Sequence, residues 1–112
     1  MVNYVPSKGD IIWIDFDPQL GKEIKKCRPS LVVSPQWYNR DAGLLLCVPI
    51  TTTIKKYPFV VTTILEGKNA AVLCDQVKSF DWKMRKAELM SRASLKLIDD
   101  VMGKINAILI DE

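Results

Sequence analysis

Up to about residue 90 the chain breaks into short apolar segments set apart by turn residues, and none is long enough for a long helix. The segments fall at 10–16, 30–34, 44–50, 59–65, 70–79 and 87–90, with Gly, Pro, Asn and Asp between them. That spacing predicts strands, and it is the pattern of a small antiparallel barrel or sandwich. Pro49 lies inside the third segment and cannot donate to a ladder, so an edge or the end of regular pairing is expected there. Glu66-Gly67-Lys68-Asn69 reads as a hairpin turn. Ser34-Pro35 followed by QWYNRDAG predicts a short helix, with Ser34 as N-cap, Pro35 at the first helical position and Gly43 closing it.

From Ser94 the period changes. Leu97, Ile98, Val101, Met102, Ile105, Ile108 and Leu109 recur at helical spacing, with Asp99, Asp100 and Lys104 on the other side. Ser94 is the expected N-cap. The apolar face is broad for a helix on so small a protein. Part of it is expected to pack on the barrel and part to face a second subunit.

A length of 112 residues fits a single domain spanning 1–112. The net charge of +3 is too mild to argue for nucleic acid by itself, so a local cluster of cations carries more weight. No apolar run approaches the roughly 18 residues of a membrane span, and residues 1–10 lack a signal-peptide core, so a cytoplasmic protein is expected. Three cysteines and no histidine cannot assemble a four-ligand structural zinc site in one chain. Cys47 and Cys74 lie in apolar runs and are expected to be buried. Cys27 sits between Lys26 and Arg28, cations that could lower its pKa, yet it has no histidine to serve as its base.

Between the first two segments, the stretch LGKEIKKCRPS gathers Lys22, Glu23, Lys25, Lys26 and Arg28. Loops held by strands are where binding groups concentrate, and Pro29 biases Arg28 toward an extended backbone. Without histidine, the Ser-His-Asp and Cys-His mechanisms are excluded within one chain. Asp15 and Asp17, spaced i, i+2, could point the same way and hold magnesium, but Asp17 precedes Pro18 and can equally shape the turn. The chemistry that remains is RNA cleavage in which the ribose 2′-OH is the nucleophile. The protein then has only to assist deprotonation, hold the phosphate in line and stabilise its equatorial oxygens. An arginine fork and a threonine hydroxyl suit that task, and Arg28 and the run Thr51-Thr52-Thr53 supply them. No cofactor and no metal are required. Lys55 and Lys56 beside Tyr57 could form a platform for single-stranded RNA. Trp13, Trp37 and Trp82 are expected to be buried in core or interface.

Four segments, YVPSKGDIIWIDFDPQLGKE, CRPSLVVSP, CVPITTTIKKYPF and LCDQVKSFDW, occur in order and at characteristic separations. Together they resemble the MazF/PemK family of toxin endoribonucleases, from about Tyr4 to Trp82, with the C-terminal helix continuing the likeness. The resemblance implies an SH3-like small β-barrel with a C-terminal helix, assembled as a homodimer. It implies metal-independent, sequence-specific cleavage of single-stranded RNA, chiefly mRNA, leaving a 2′,3′-cyclic phosphate and a 5′-OH. It also implies a cognate antitoxin whose acidic segment covers the RNA groove.

The family's catalytic arginine, in its R-P motif, falls on Arg28, and its threonine falls on Thr51. The loop glutamate matches Glu23 and the glutamine of the D-Q-V motif matches Gln76. Where some members carry a histidine just before the R-P motif, this chain has Cys27. Arginine is a poor general base, so Glu23 is the candidate to take or relay the 2′-OH proton while Arg28 stabilises charge. Lys25, Lys26, Thr52, Lys55, Lys56, Tyr57, Gln76 and Lys78 are the expected RNA contacts. Two alternatives stand beside this reading: a gyrase-binding toxin of related fold, and a non-catalytic RNA-binding barrel. The first acts through a terminal aromatic, whereas this chain ends Ile110-Asp111-Glu112; the second needs neither Arg28 nor Thr51.

Overall fold

Seven strands build one antiparallel sheet that curls into a half-barrel, with a long helix packed on it. The computed structural model describes residues 4–16, 27–53 and 57–110. The strands are β1 (Asp10–Asp15), β2 (Cys27–Val32), β3 (Leu44–Thr51), β4 (Val60–Leu65), β5 (Lys68–Leu73), β6 (Lys78–Asp81) and β7 (Glu88–Arg92). The helices are α1 (Gln36–Ala42) and α2 (Leu95–Ile110). The main path of the sheet runs β4-β5-β3-β2-β1-β7, and β6 pairs with β3 off that path.

Strand β3 is where the sheet turns. Its first half, Leu44 to Cys47, pairs with β6, while Ile50 and Thr51 pair with β5. Pro49 falls in the gap between those two ladders, opposite Ser30 of β2. Pro49 thus ends the β2 ladder, having no N–H to give, but it is neither at an edge nor the end of pairing, because β3 runs on to Thr51 paired with β5.

Period-two alternation sends side chains to two apolar clusters, one on each face. Ile11, Leu31, Val33, Val48, Ile50 and Val72 meet Leu97, Val101 and Ile105 of α2. Ile12, Ile14, Val32, Leu45, Cys47, Phe80 and Trp82 fill the other face. Helix α2 starts as expected, with the Leu97 N–H donating to Ser94 Oγ at 3.1 Å. Its last turn leaves Ile108, Leu109 and Ile110 exposed.

Several expectations need correction. The segment 70–79 is two strands, because Cys74 to Val77 turn the chain and the Gln76 N–H bonds back to Leu73 O at 3.1 Å. Ser34 does not cap α1; the N-cap is Pro35, with no side-chain cap. The Ser34 hydroxyl instead donates to Asn39 Oδ1 at 2.5 Å and accepts from the Leu46 N–H at 2.9 Å. Strand β2 begins at Cys27, three residues before the expected start, so Arg28 stands on a strand and not in the loop. Gly43, in the left-handed region at φ 72°, closes α1 as expected. The 66–69 hairpin turns tightly at Glu66 and Gly67, both at positive φ, with Leu65 paired to Lys68.

Two buried polar networks tie the N-terminal segment down. Asn39 is fully buried and its Nδ2 donates to Pro6 O (2.8 Å) and Ser34 O (3.2 Å), while Trp82 Nε1 donates to Asn39 O (2.8 Å). Asp10 accepts from Tyr4 Oη (2.6 Å) and the Ser7 N–H (3.0 Å), and pairs with Arg92. Burial and the Asp10 hydrogen bond push the Tyr4 phenol well above its ordinary pKa. Of the three tryptophans, Trp82 is buried as expected, but Trp37 is 61% exposed and Trp13 36% in the single chain.

Candidate active site

The alternation that builds the second cluster continues past it into a cleft. Following Ile12 and Ile14 leads to Phe16; following Val32 and Ser30 back along β2 leads to Arg28. Following Leu45 and Cys47 along β3 leads to Pro49 and Thr51, and following Phe80 back along β6 leads to Lys78. Four strands thus deliver side chains to one end of one face. They line a cleft of about 280 Å³ with Phe16, Arg28, Pro49, Thr51, Gln76 and Lys78 around it, and Ile50 and Leu73 completing the wall.

The cleft carries two cations, Arg28 and Lys78, and no carboxylate among its described lining residues. Arg28 is exposed and stands opposite Ile14 of β1. Pro29 faces Trp13 on the β1 side, and the ladder to β3 begins only at Ser30. The missing N–H of Pro29 therefore breaks no β2–β3 pairing, and Arg28 keeps an extended backbone beside the open end of that ladder. Thr51 Oγ1 accepts from the Thr53 N–H at 3.1 Å. That bond occupies one lone pair and leaves the hydroxyl proton to be given to an acceptor in the cleft.

Tyr57 does not line the cleft. Its hydroxyl donates to Asp75 Oδ2 at 2.5 Å, and its ring meets Phe59 edge-on at 5.8 Å. That bond raises the phenol pKa and ties Tyr57 to the turn that carries Gln76. Thr52 is exposed next to Thr51 and is not among the cleft's described lining residues. Glu23, Lys25, Lys26, Lys55 and Lys56 lie outside the described residues, as does Asp17. Among the described residues no group of three acidic, cysteine or histidine side chains could hold a metal.

Cys27 corrects the expectation of a lowered pKa. Its thiol is raised, first by burial and then by the nearby carboxylates of Asp15 and Glu88, against which Lys86 pulls weakly downward. Next to the cleft, burial pushes the Cys47 thiol up to about 12, opposed by the Ser30 hydroxyl and Lys78. Neither thiol is poised as a nucleophile. Phe16 was not foreseen, although it ends the apolar alternation of β1 and so could have been read as the residue at the mouth.

A half-barrel of this topology brings an arginine and a threonine to one basic cleft. The sequence profile of the PemK-like, MazF-like toxin of type II toxin-antitoxin systems matches residues 7–109, and the chain belongs to that family. It is 42% identical over 106 residues to the endoribonuclease toxin MazF of Escherichia coli (strain K12), covering 95% of this chain and 96% of that one. The crystal structure of MazF (Form-I) from Deinococcus radiodurans superposes with a TM-score of 0.83 at 40% identity, covering 96% of this chain and 98% of the other. MazF in a MazE–MazF crystal structure (Form-II) from the same organism gives 0.84 at 35% identity, covering 98% of this chain and all of the other.

Proposed function

We propose that the chain is the toxin of a type II toxin–antitoxin system and acts as a metal-independent endoribonuclease on single-stranded RNA, chiefly mRNA. The observation that carries this reading is the convergence of Arg28, Thr51, Gln76 and Lys78 on one cleft. The Escherichia coli relative described above is named an endoribonuclease toxin, and one of the Deinococcus radiodurans structures is of MazE–MazF.

The reaction is an in-line displacement within the substrate. The ribose 2′-oxygen attacks phosphorus, a 2′-O–P bond forms and the P–O5′ bond breaks, leaving a 2′,3′-cyclic phosphate and a 5′-OH. The 2′-OH proton passes to Glu23 or through it to solvent. Arg28 directs its planar donors at the equatorial oxygens, where negative charge develops, and supplies a proton to the departing 5′-oxygen. Thr51 donates its hydroxyl proton to a second oxygen. Lys78 and Gln76 sit on the adjacent wall, where a cation holds the flanking phosphate and an amide reads a base edge. Lys25, Lys26, Thr52, Lys55, Lys56 and Tyr57 are the further contacts proposed for the strand.

The exposed apolar end of α2, Ile108 to Ile110, supports a homodimer. The partner that silences the toxin is an acidic antitoxin segment laid over the basic cleft. No helix among the described residues is long and apolar enough to cross a membrane, and a cytoplasmic location fits an mRNA substrate.

The test is an RNA oligonucleotide carrying a single 2′-deoxy nucleotide at the cleaved position. This reading predicts no cleavage there and competitive inhibition by the oligonucleotide. Cleavage at the deoxy position would show that water or an enzyme group is the nucleophile.

A further inference from the structure

Strand β1 loses its outer neighbour before it reaches the cleft. Strand β7 pairs with β1 only from Asp10 to Trp13, the last pair being Trp13 with Glu88. Asp15 and Phe16, the residues that lead to the cleft mouth, lie beyond that ladder. A side chain takes its place. Arg85 Nη1 donates to Phe16 O at 2.8 Å and to Asp15 O at 3.1 Å, and the Asp15 N–H donates to Arg85 O at 3.3 Å.

The guanidinium is itself held. Its Cζ lies 4.7 Å from the centroid of the Phe80 ring, and Phe80 meets the Phe16 ring edge-on at 5.0 Å. Arg85 is presented by the turn after β6, where Asp81 O accepts the Arg85 N–H at 3.0 Å. The Asp81 carboxylate accepts the N–H groups of Lys83 and Met84 at 3.2 and 3.0 Å. One nitrogen, Nη1, therefore ties both carbonyls at the end of β1 while the guanidinium face rests on Phe80, which in turn meets Phe16. A guanidinium joins those donors to a flat face suited to a ring, which an ammonium lacks. Phe16 lines the cleft with Arg28, and Ile14, two residues before it, is the cross-strand partner of Arg28.

We propose that Arg85 is a positioning residue for the RNA-cleaving cleft: by fastening Asp15, Phe16 and Phe80 it holds the wall against which Arg28 meets the phosphate. It acts through β1 and makes no contact with the substrate. This inference rests on the endoribonuclease reading above.

The experiment compares wild type with Arg85→Met and Arg85→Lys, using steady-state cleavage of a short single-stranded RNA, the salt dependence of RNA binding, and the NMR signals of ring-labelled Phe16. Misplacing a reacting group by about 1 Å can cost about 100-fold. The expected result for Arg85→Met is a kcat lowered about 10- to 100-fold. KM and the salt slope stay as in wild type, and the Phe16 signals shift or broaden. Arg85→Lys keeps the charge but loses the planar face on Phe80, and its kcat stays well below wild type. Should Arg85→Met fail to fold, Arg85→Lys carries the same readouts. A wild-type kcat in the variants would overturn the inference. So would a raised KM and a shallower salt slope that lysine restores, since that is the signature of a direct phosphate contact. A wild type that cleaves no RNA would end the nuclease reading instead, and an unchanged Phe16 signal would then still overturn the fastening.

Discussion

Arg28 of β2 and Thr51 of β3 line one cleft, each just past the last rung that joins their strands. Strands β2 and β3 pair Leu31 with Val48 and Ser30 with Pro49, and the ladder ends there. Beyond it the two side chains share the wall of a cleft of about 280 Å³, small enough for both to serve one phosphate. Replacing Thr51 by valine keeps the β-branched shape and removes the hydroxyl. The expected outcome is a fall in single-turnover rate of about 10²-fold, with Thr51→Ser recovering most of it. An equal rate in Thr51→Val would remove the hydroxyl from the chemistry.

The basic residues around the cleft should make binding strongly salt-dependent. Each phosphate neutralised on a single strand contributes about −0.7 to the slope of log K against log salt. Removing Lys78 alone, as Lys78→Met, should reduce the magnitude of that slope by about 0.7, measured by fluorescence anisotropy with a non-cleavable strand. An unchanged slope would take Lys78 off the RNA path.

Asn39 should matter for stability and not for catalysis. Its side chain is fully buried and satisfies Pro6 O, Ser34 O and the Ser34 hydroxyl together. Asn39→Ala orphans the carbonyls of Pro6 and Ser34, while the Ser34 hydroxyl keeps the Leu46 N–H, at a cost of about 2–6 kcal/mol, since each orphaned buried group costs roughly 1–3. Denaturant unfolding should show this loss, while the cleavage rate of the folded fraction stays at the wild-type value.

Cys47 links stability to alkaline pH. Burial raises its thiol from the ordinary 9.0 to about 12, so the folded protein retains a proton that the unfolded chain releases. Its contribution is complete below pH 9 and is lost as pH rises from 9 toward 12. Thermal midpoints taken between pH 8 and 10.5 should fall with pH, and less steeply in Cys47→Ala. Native protein at pH 8 should also leave Cys47 unmodified by a thiol reagent until it is unfolded.

Much of the fold is written in local patterns. The alternation of β1 and β3, the hairpin at Glu66-Gly67 and the cap at Ser94 are short-range signals, and each was readable without tertiary knowledge. Ser34 misled because its hydroxyl is claimed by Asn39 and Leu46 across the fold, and sequence spacing does not reveal that competition. The split between β5 and β6 was hidden because Cys74 to Val77 turn without glycine or proline. At the site, Arg28 and Thr51 could be named from their motifs, but that they share one cleft with Lys78 needed the sheet. Cys27 was misread because Lys26 and Arg28 are its neighbours in sequence, whereas Asp15 and Glu88 face it from β1 and β7. Arg85 was invisible for a similar reason: its partners, Asp15 and Phe16, are about seventy positions away.

Arg28 and its cleft are proposed to cleave RNA through the substrate's own 2′-OH without a metal. The direct measurement is to incubate wild type and Arg28→Ala with a long single-stranded RNA in EDTA and map the new 5′ ends. Wild type should give discrete sites bearing 5′-OH ends and 2′,3′-cyclic phosphates. Arg28→Ala should lose them by at least about 10²-fold while remaining folded and dimeric. Cleavage by Arg28→Ala at the wild-type rate, or a wild type active only when magnesium is restored, would contradict the account.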